Sequence, residues 1–243
     1  MITVNHIAKA YGTTSILKDV SFSLTSGACR SLLGASGSGK STLLKILAGL
    51  ERADRGSFLY DGEELISSPA EKRSVVYLSQ DPLLFPHMSV YDNIGYGLRV
   101  RKMSTTEINK KVSNLAEQLE LQDHMDKLPH QLSGGQRQRV NFGRSIIITP
   151  RMLLLDEPFA SLDAVTRSKM QSLYQQVAET YNITSLFVTH DIREALVMGD
   201  TYGMLRRGTL SCYDTQAQFI KQPDSGIAEE ISFWKSIEKN DRL

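Results

Sequence analysis

The chain has 243 residues, 41% of them hydrophobic, and its 28 Lys and Arg balance 27 Asp and Glu to a net charge of +1. That length and apolar content suit one large domain with a sizeable core, and the even charge balance excludes the basic footprint of a nucleic-acid binder. No run approaches the roughly 18 apolar residues of a membrane span, the start MITVNHIAKAYG carries no basic leader, and Cys29 and Cys212 stand in no metal-ligand or redox spacing. A cytoplasmic chain with reduced cysteines is expected.

Taken in chain order, β-branched and apolar runs predict strands over Ile2 to Ile7, Val20 to Leu24, Cys29 to Leu33, Val75 to Leu78, Met152 to Leu155 and Ser185 to Thr189. Several are too uniformly apolar for a sheet with one wet face, so they are expected to be central and covered on both sides. Ile108, Val112, Leu115 and Leu119 recur at helical spacing behind possible caps at Ser104 to Thr106, and Met170, Leu173 and Val177 repeat the pattern later. Interleaved strands and helices predict an α/β fold. The span from Pro86 to Gln131 contains no convincing buried strand and is expected to form a helical subdomain.

The segment GASGSGKST comprises Gly34, Ala35, Ser36, Gly37, Ser38, Gly39, Lys40, Ser41 and Thr42. It follows the strand ending at Leu33 and precedes a helix carrying Leu43, Leu44, Ile46 and Leu47, the context in which backbone N–H groups and a helix N-terminus converge on phosphates. Gly34, Gly37 and Gly39 are expected to permit turns closed to residues with a Cβ. Lys40 is expected to reach the β- and γ-phosphates, and the Ser41 hydroxyl to ligate Mg²⁺. In RMLLLDEP an apolar strand delivers Asp156 and Glu157 at its C-terminal end, where such sheets bind ligands. Asp156 suits Mg²⁺ through its water shell, and Glu157 suits the attacking water as general base. The LSGGQRQR segment, Leu132 to Arg139, offers a Ser and two Gly at a helix N-terminus, an anion site whose phosphate would come from elsewhere.

The ordered set of phosphate loop, LSGGQ, the Asp-Glu strand end, SLD and a later histidine resembles the nucleotide-binding subunit of an ATP-binding cassette transporter over nearly the whole chain. The resemblance implies an ATPase of P-loop NTPase fold, with a mainly parallel central sheet flanked by helices, an N-terminal antiparallel β-subdomain and a helical signature subdomain inserted over about residues 86–145. It implies that Ser133, Gly134, Gly135 and Gln136 contact ATP held by a second subunit, with the helix starting after Gly135, and that Asp163 in SLD crosses the same interface. The N-cap of the following helix is the other role open to Asp163. Tyr11 in KAYG matches an adenine-stacking aromatic, with simple packing as its alternative. Gln80 in YLSQD matches a Mg²⁺ and water contact that links to the helical subdomain, and His190 in FVTHD a histidine that holds the γ-phosphate and positions Glu157. ATP and Mg²⁺ are the implied ligands.

The stretch from Pro69 to Lys102 is similar to importer subunits of the polyamine, ferric-iron, sulfate, molybdate and sugar group. It places Leu84, Phe85, Pro86 and His87 where a coupling helix of a membrane subunit is received, so an exposed apolar patch is expected. DKLPHQ, Asp126 to Gln131, lacks the acidic, Gly-containing segment usual before the signature in exporters. Implied partners are a second ATPase subunit, most simply another copy of the chain, integral membrane permeases at the cytoplasmic face, and an external solute-binding protein; no nucleic acid is expected. Two departures stand out. Asn141-Phe142-Gly143-Arg144 replaces the usual small aliphatics, and the chain ends at Leu243, near where many such importers begin a regulatory β-domain, so none is expected. The rival readings are an exporter subunit, a soluble ATPase of the same family acting in DNA repair or on ribosomes, and a kinase using the same phosphate loop. The repair type needs a long heptad insertion before Ser133, the ribosomal type usually carries two cassettes, and a kinase has no need of LSGGQ.

Overall fold

The computed structural model describes residues 1–222 and 227–228. The N-terminal strands β1 (Ile2–Tyr11) and β2 (Thr14–Leu24) form an antiparallel hairpin, longer than the expected runs because polar residues on the wet face break up the apolar pattern. β3 (Cys29–Leu33) is buried at every position and leads through the glycine-rich loop into α1 (Lys40–Ala48). β4 (Arg55–Tyr60) and the short β5 (Glu63–Glu64) extend the antiparallel layer, and the apolar pattern does not predict them. After α2 (Ala70–Arg73) come β6 (Val75–Leu78) and then α3 (Val90–Val100), α4 (Thr105–Gln118) and α5 (Gly134–Ile146). Among the described residues no strand falls between Leu78 and Met152.

The second half alternates β7 (Met152–Asp156), α6 (Ala164–Thr180), β8 (Ser185–Thr189) and α7 (Ile192–Met198). It ends in the hairpin β9 (Thr201–Arg206) and β10 (Thr209–Tyr213), likewise absent from the predicted strands, and α8 (Gln216–Ile220). The sheet order is β5-β4-β1-β2-β10-β9-β3-β8-β7-β6. Strands β9, β3, β8, β7 and β6 run parallel, so their carboxyl ends share one edge. The antiparallel layer joins them through a single parallel pair, Thr209 with Asp19.

Helix α1 is the piece that both layers bury. Leu43, Leu44, Ile46 and Leu47 are each 0% exposed and share one cluster with Ile2, Val4 and Phe58 of the antiparallel strands and with Leu154 and Val188 of the parallel ones. Each such side chain contributes about 1.5–3 kcal/mol relative to exposure, so the helix behind the phosphate loop is a fixed post. A second cluster packs α3, α4 and α5 against one another and against α6, through Ile94, Val112, Leu115, Val140 and Phe142. Ser104 and Glu107 close a capping box at the start of α4, the cap its sequence predicts. The expected absence of a regulatory β-domain concerns the chain end at Leu243 and lies outside the described residues.

Candidate active site

Register brings the site together. On adjacent parallel strands Leu33 pairs with Thr189, and Val188 with Asp156, so the chain leaves β3, β8 and β7 side by side into the loops carrying Lys40, His190 and Glu157. Gly37 and Gly39 take the left-handed backbone at φ 75° and φ 102°. Gly34 does not; a Cβ there would lie 2.6 Å from the Leu205 carbonyl oxygen, so crowding rather than a turn requires its glycine. No side chain caps Gly39 at the head of α1 and its first turn holds no acid, so its N–H groups and dipole face the loop. Lys40 is 5% exposed, and its Nζ donates to the carbonyls of Gly34 at 2.7 Å and Ala35 at 3.1 Å. Burial lowers the ammonium's pKa, and the nearby Glu157 and Asp156 carboxylates oppose that shift.

Two cavities flank the loop. One of about 300 Å³ is lined by Tyr11, Ile16, Ser36, Gly37, Gly39, Lys40, Ser41, Thr42 and Glu157. The other, about 590 Å³, is lined by Gly34, Ala35, Ser36, Gly37 and Ser38 on one wall and by His190, Ile192, Met204, Arg206 and Arg207 on the other. The exposed Tyr11 ring borders the first, with the Lys9 ammonium 5.1 Å from its centre.

Asp156 is 8% exposed, and its Oδ2 accepts a hydrogen bond from the Tyr77 hydroxyl at 2.8 Å across β6 and β7. Burial and then that carboxylate push the Tyr77 pKa up, so the phenol stays a donor. Glu157, immediately after the strand, takes a left-handed φ of 47° while its N–H donates to the Val188 carbonyl at 3.0 Å. A non-glycine residue held there costs about 1 kcal/mol or more, and the bend turns Glu157 towards β8. His190 Nδ1 lies 2.8 Å from Glu157 Oε2. Gln80 is exposed, and its backbone carbonyl accepts from the Gln138 amide of α5 at 3.0 Å.

The signature residues lie elsewhere. Neither cavity beside the phosphate loop is lined by any residue of 132–139 or by Asp163. Helix α5 begins at Gly134, two residues earlier than expected from a start after Gly135, because Ser133 is its N-cap. Ser133 Oγ accepts from Gln136 N at 3.2 Å, and Gln136 Oε1 accepts from Ser133 N at 2.9 Å. The other end of the Gln136 amide meets His124 Nε2 at 2.8 Å, so the side chain expected to reach a nucleotide is held at both ends by its own chain. Gly135 is buried, and a Cβ there would lie 2.6 Å from Thr166 Cγ2, so the approach of α5 to α6 requires its glycine. Ser133 and Gly134 remain exposed. Asp163 is the N-cap of α6, accepting from Val165 N at 3.1 Å and Thr166 N at 3.0 Å; the bond from Thr166 is the main reason its carboxyl sits below the usual pKa.

Leu83 is 69% exposed, the Phe85 and Tyr96 ring centres are 4.6 Å apart, and the Arg144 guanidinium lies 5.1 Å from the Phe85 ring centre. Of the residues expected in an exposed apolar patch, Pro86 and His87 are exposed but Leu84 and Phe85 are half-buried, so the exposed apolar surface here is carried by Leu83 and Tyr96 instead. In the unusual Asn141 to Arg144 stretch, Phe142 packs 5.1 Å from the Tyr174 ring, and a Cβ on Gly143 would lie 2.7 Å from Leu119 Cδ1.

Residues 17–160 match the family described as ABC transporter. The chain belongs to that family. The ABC chain is 39% identical to the spermidine/putrescine import ATP-binding protein PotA of Protochlamydia amoebophila, over 95% of its length and 62% of the relative's. It is 39% identical to the molybdate/tungstate import ATP-binding protein WtpC of Pyrococcus abyssi, over 98% and 69%. It is 42% identical to the sulfate/thiosulfate import ATP-binding protein CysA 1 of Chromobacterium violaceum, over 93% and 64%. The chain thus spans about two thirds of the length of these curated relatives. The structure of cbiO1 from Clostridium perfringens, part of the ABC transporter complex cbiONQ, superposes with a TM-score of 0.83 at 28% identity, over 90% of each chain. Among the described residues no helix of the ABC chain is long and apolar enough to cross a membrane.

Three residues that position this ABC site are not legible in sequence. Tyr77 and Gln138 reach it across strands and helices that only the fold makes neighbours. Arg73, 4% exposed, donates to the Ile46 and Leu47 carbonyls at the C-terminus of α1 and to those of Ser68 and Ile66. An arginine buried against backbone carbonyls has no motif, and nothing in the sequence marks it among the mostly exposed residues of its type.

Proposed function

We propose that the chain is the ATP-hydrolysing subunit of a solute importer, working as a dimer whose two nucleotide sites each combine the phosphate loop of one copy with Ser133 to Gly135 of the other. The separation of the two half-sites in one chain supports this: Lys40, Glu157 and His190 gather around the loop, while an exposed Ser133 and Gly134 head a helix that shares neither cavity. In the closed dimer the γ-phosphate bridges both copies, so ATP and not ADP stabilises closure. Tyr11 stacks on the base, and the loop amides from Gly34 to Thr42 with the α1 N-terminus hold the phosphates, Lys40 exchanging its carbonyl partners for phosphate oxygens. Gln136 and Asp163 act there through their caps, Gln136 setting Ser133 and Asp163 the start of α6.

The donors fit Mg²⁺, which takes hard oxygen ligands and one or two carboxylates beside phosphate. Ser41 and Asp156 supply a hydroxyl and a carboxylate, Tyr77 leaves one Asp156 oxygen free, and Gln80 adds an amide. When bound, the ion neutralises charge on the transferring phosphate. Nδ1–H of His190 donates to Glu157 Oε2, leaving Oε1 to accept the proton of the attacking water as its oxygen bonds to the γ-phosphorus and ADP departs.

Import rather than export is favoured by the relatives' names and by the exposed Leu83 and Tyr96, which suit a helix of a permease at the cytoplasmic face of the membrane. Relatives named for polyamine, molybdate and sulfate import are similarly identical to this chain, so solute choice is assigned to the permease and an external binding protein. Affinity purification from membranes tests the reading. Copurification with integral membrane subunits and an ATPase activity stimulated by them are expected; ribosomes or DNA in their place would overturn it.

A further inference from the structure

Glu194 is a buried carboxylate that takes no part in the chemistry above. It sits on α7, 6% exposed, with Oε1 accepting from Gln171 Nε2 at 3.1 Å and Oε2 accepting from the Thr189 hydroxyl. Thr189 immediately precedes His190, and its Oγ1 also accepts from the N–H of Asp191 at 3.0 Å, on the other side of the histidine. Asp191 in turn caps α7, accepting from Arg193 N at 2.8 Å and Glu194 N at 3.2 Å. The residues bracketing His190 are thus both bonded to the helix start that carries Glu194.

The same cluster reaches α6. Gln171 lies on that helix one turn beyond Arg167, which donates to the Leu162 carbonyl at 2.9 Å and stands 4.0 Å from Asp191 Oδ2. Leu162 belongs to the SLD segment that ends in Asp163, the cap of α6. One face of α6 therefore holds the His190 loop through Gln171 and Arg167, and the SLD segment through Arg167.

We propose that Glu194 is a positioning residue whose carboxylate clamps Thr189 and Gln171, fixing His190 against Glu157 and tying the histidine loop to the SLD segment. The link to a second subunit through that segment rests on the dimer reading; the positioning of His190 does not. A carboxylate is the group the clamp needs, since both of its partners donate to it. An amide in its place presents one acceptor and one donor, so one of the two bonds is lost. Protonation has the same consequence. Burial is the largest influence on Glu194 and raises its pKa, Thr189 and Gln171 pull it back, Asp191 raises it and Arg167 lowers it, leaving a net rise. As pH falls through that raised value the clamp loses an acceptor, so kcat declines at a higher pH than an ordinary carboxylate would give.

The test is steady-state ATP hydrolysis by the full chain, wild type against Glu194→Gln and Glu194→Ala, with kcat and KM followed across pH and thermal unfolding recorded alongside. Glu194→Gln is expected to lower kcat about tenfold, the weight of one lost hydrogen bond, to leave the KM for ATP within about twofold, and to abolish the acid limb set by Glu194. Glu194→Ala should lose more kcat with a similar KM. Unaltered kcat and pH profile in Glu194→Gln would overturn the positioning role alone, and so would a kcat loss that follows thermal destabilisation while the acid limb persists. A wild-type chain without ATPase activity would overturn the proposed function and this role together.

Discussion

His190 Nδ1 and Glu157 Oε2 stand 2.8 Å apart although their residues leave different strands. The contact exists because β7 and β8 are parallel neighbours in register and because Glu157 bends into a left-handed conformation directly after Asp156. If His190 holds Glu157 in place for the attacking water, His190→Ala should reduce kcat by about 10²-fold or more while nucleotide binding persists. Phosphate release and equilibrium binding of a nucleotide analogue check the two halves separately; equal loss of both would place His190 in binding instead.

Asp156 depends on Tyr77 in the same way that Glu157 depends on His190. Tyr77→Phe keeps the ring between its neighbours and removes only the 2.8 Å bond. Partners of a metal ligand commonly count for about 10–100-fold in affinity or activity. The expected outcome is at least a tenfold rise, to that order, in the Mg²⁺ concentration needed for half-maximal ATPase activity, with unfolding temperature little altered. An unshifted Mg²⁺ titration would remove Tyr77 from the site.

How much of this is legible in sequence follows from which signals are local. The strands Cys29–Leu33 and Ser185–Thr189, buried at every position, match their predicted bounds to the residue, because a short unbroken apolar run between turns suits a covered strand and little else, and the half-buried edge strand Val75–Leu78 matches its bounds as well. Arg55–Tyr60 escapes prediction because it is half exposed and opens with Arg and Gly, and Thr201–Arg206 because Gly203 interrupts its buried run. The glycine loop, the acid pair and LSGGQ are visible as motifs, yet the reason for each residue is not always the expected one. Gly34 answers to the Leu205 carbonyl and Gly135 to Thr166, contacts made by segments remote in sequence. Glu194, Tyr77 and Arg73 act through such contacts alone.

Arg73 bears on stability rather than chemistry. Its guanidinium donates to four backbone carbonyls, two of them at the end of the helix that carries Lys40. Arg73→Met leaves those acceptors without a partner in a crowded place, at a cost of about 3 kcal/mol. Urea unfolding should show a lower midpoint with an unaltered slope, and residual folded protein should still hydrolyse ATP.

Ser133 lines neither cavity beside the phosphate loop of its own chain. Ser133→Arg is therefore expected to leave ATP binding by the monomer within about twofold of wild type while preventing ATP-dependent association. Titration with a fluorescent nucleotide measures the first, and gel filtration the second. Loss of ATP binding by the monomer would show that Ser133 serves its own chain.

In the proposed dimer one chain carries two halves of two different sites, and light scattering on Glu157→Gln tests this most directly. With the general base removed, ATP and Mg²⁺ should convert the protein from monomer to a long-lived dimer of twice the mass, and ADP should leave it monomeric. A variant that remains monomeric with ATP bound, or that still hydrolyses ATP at the wild-type rate, would contradict the account.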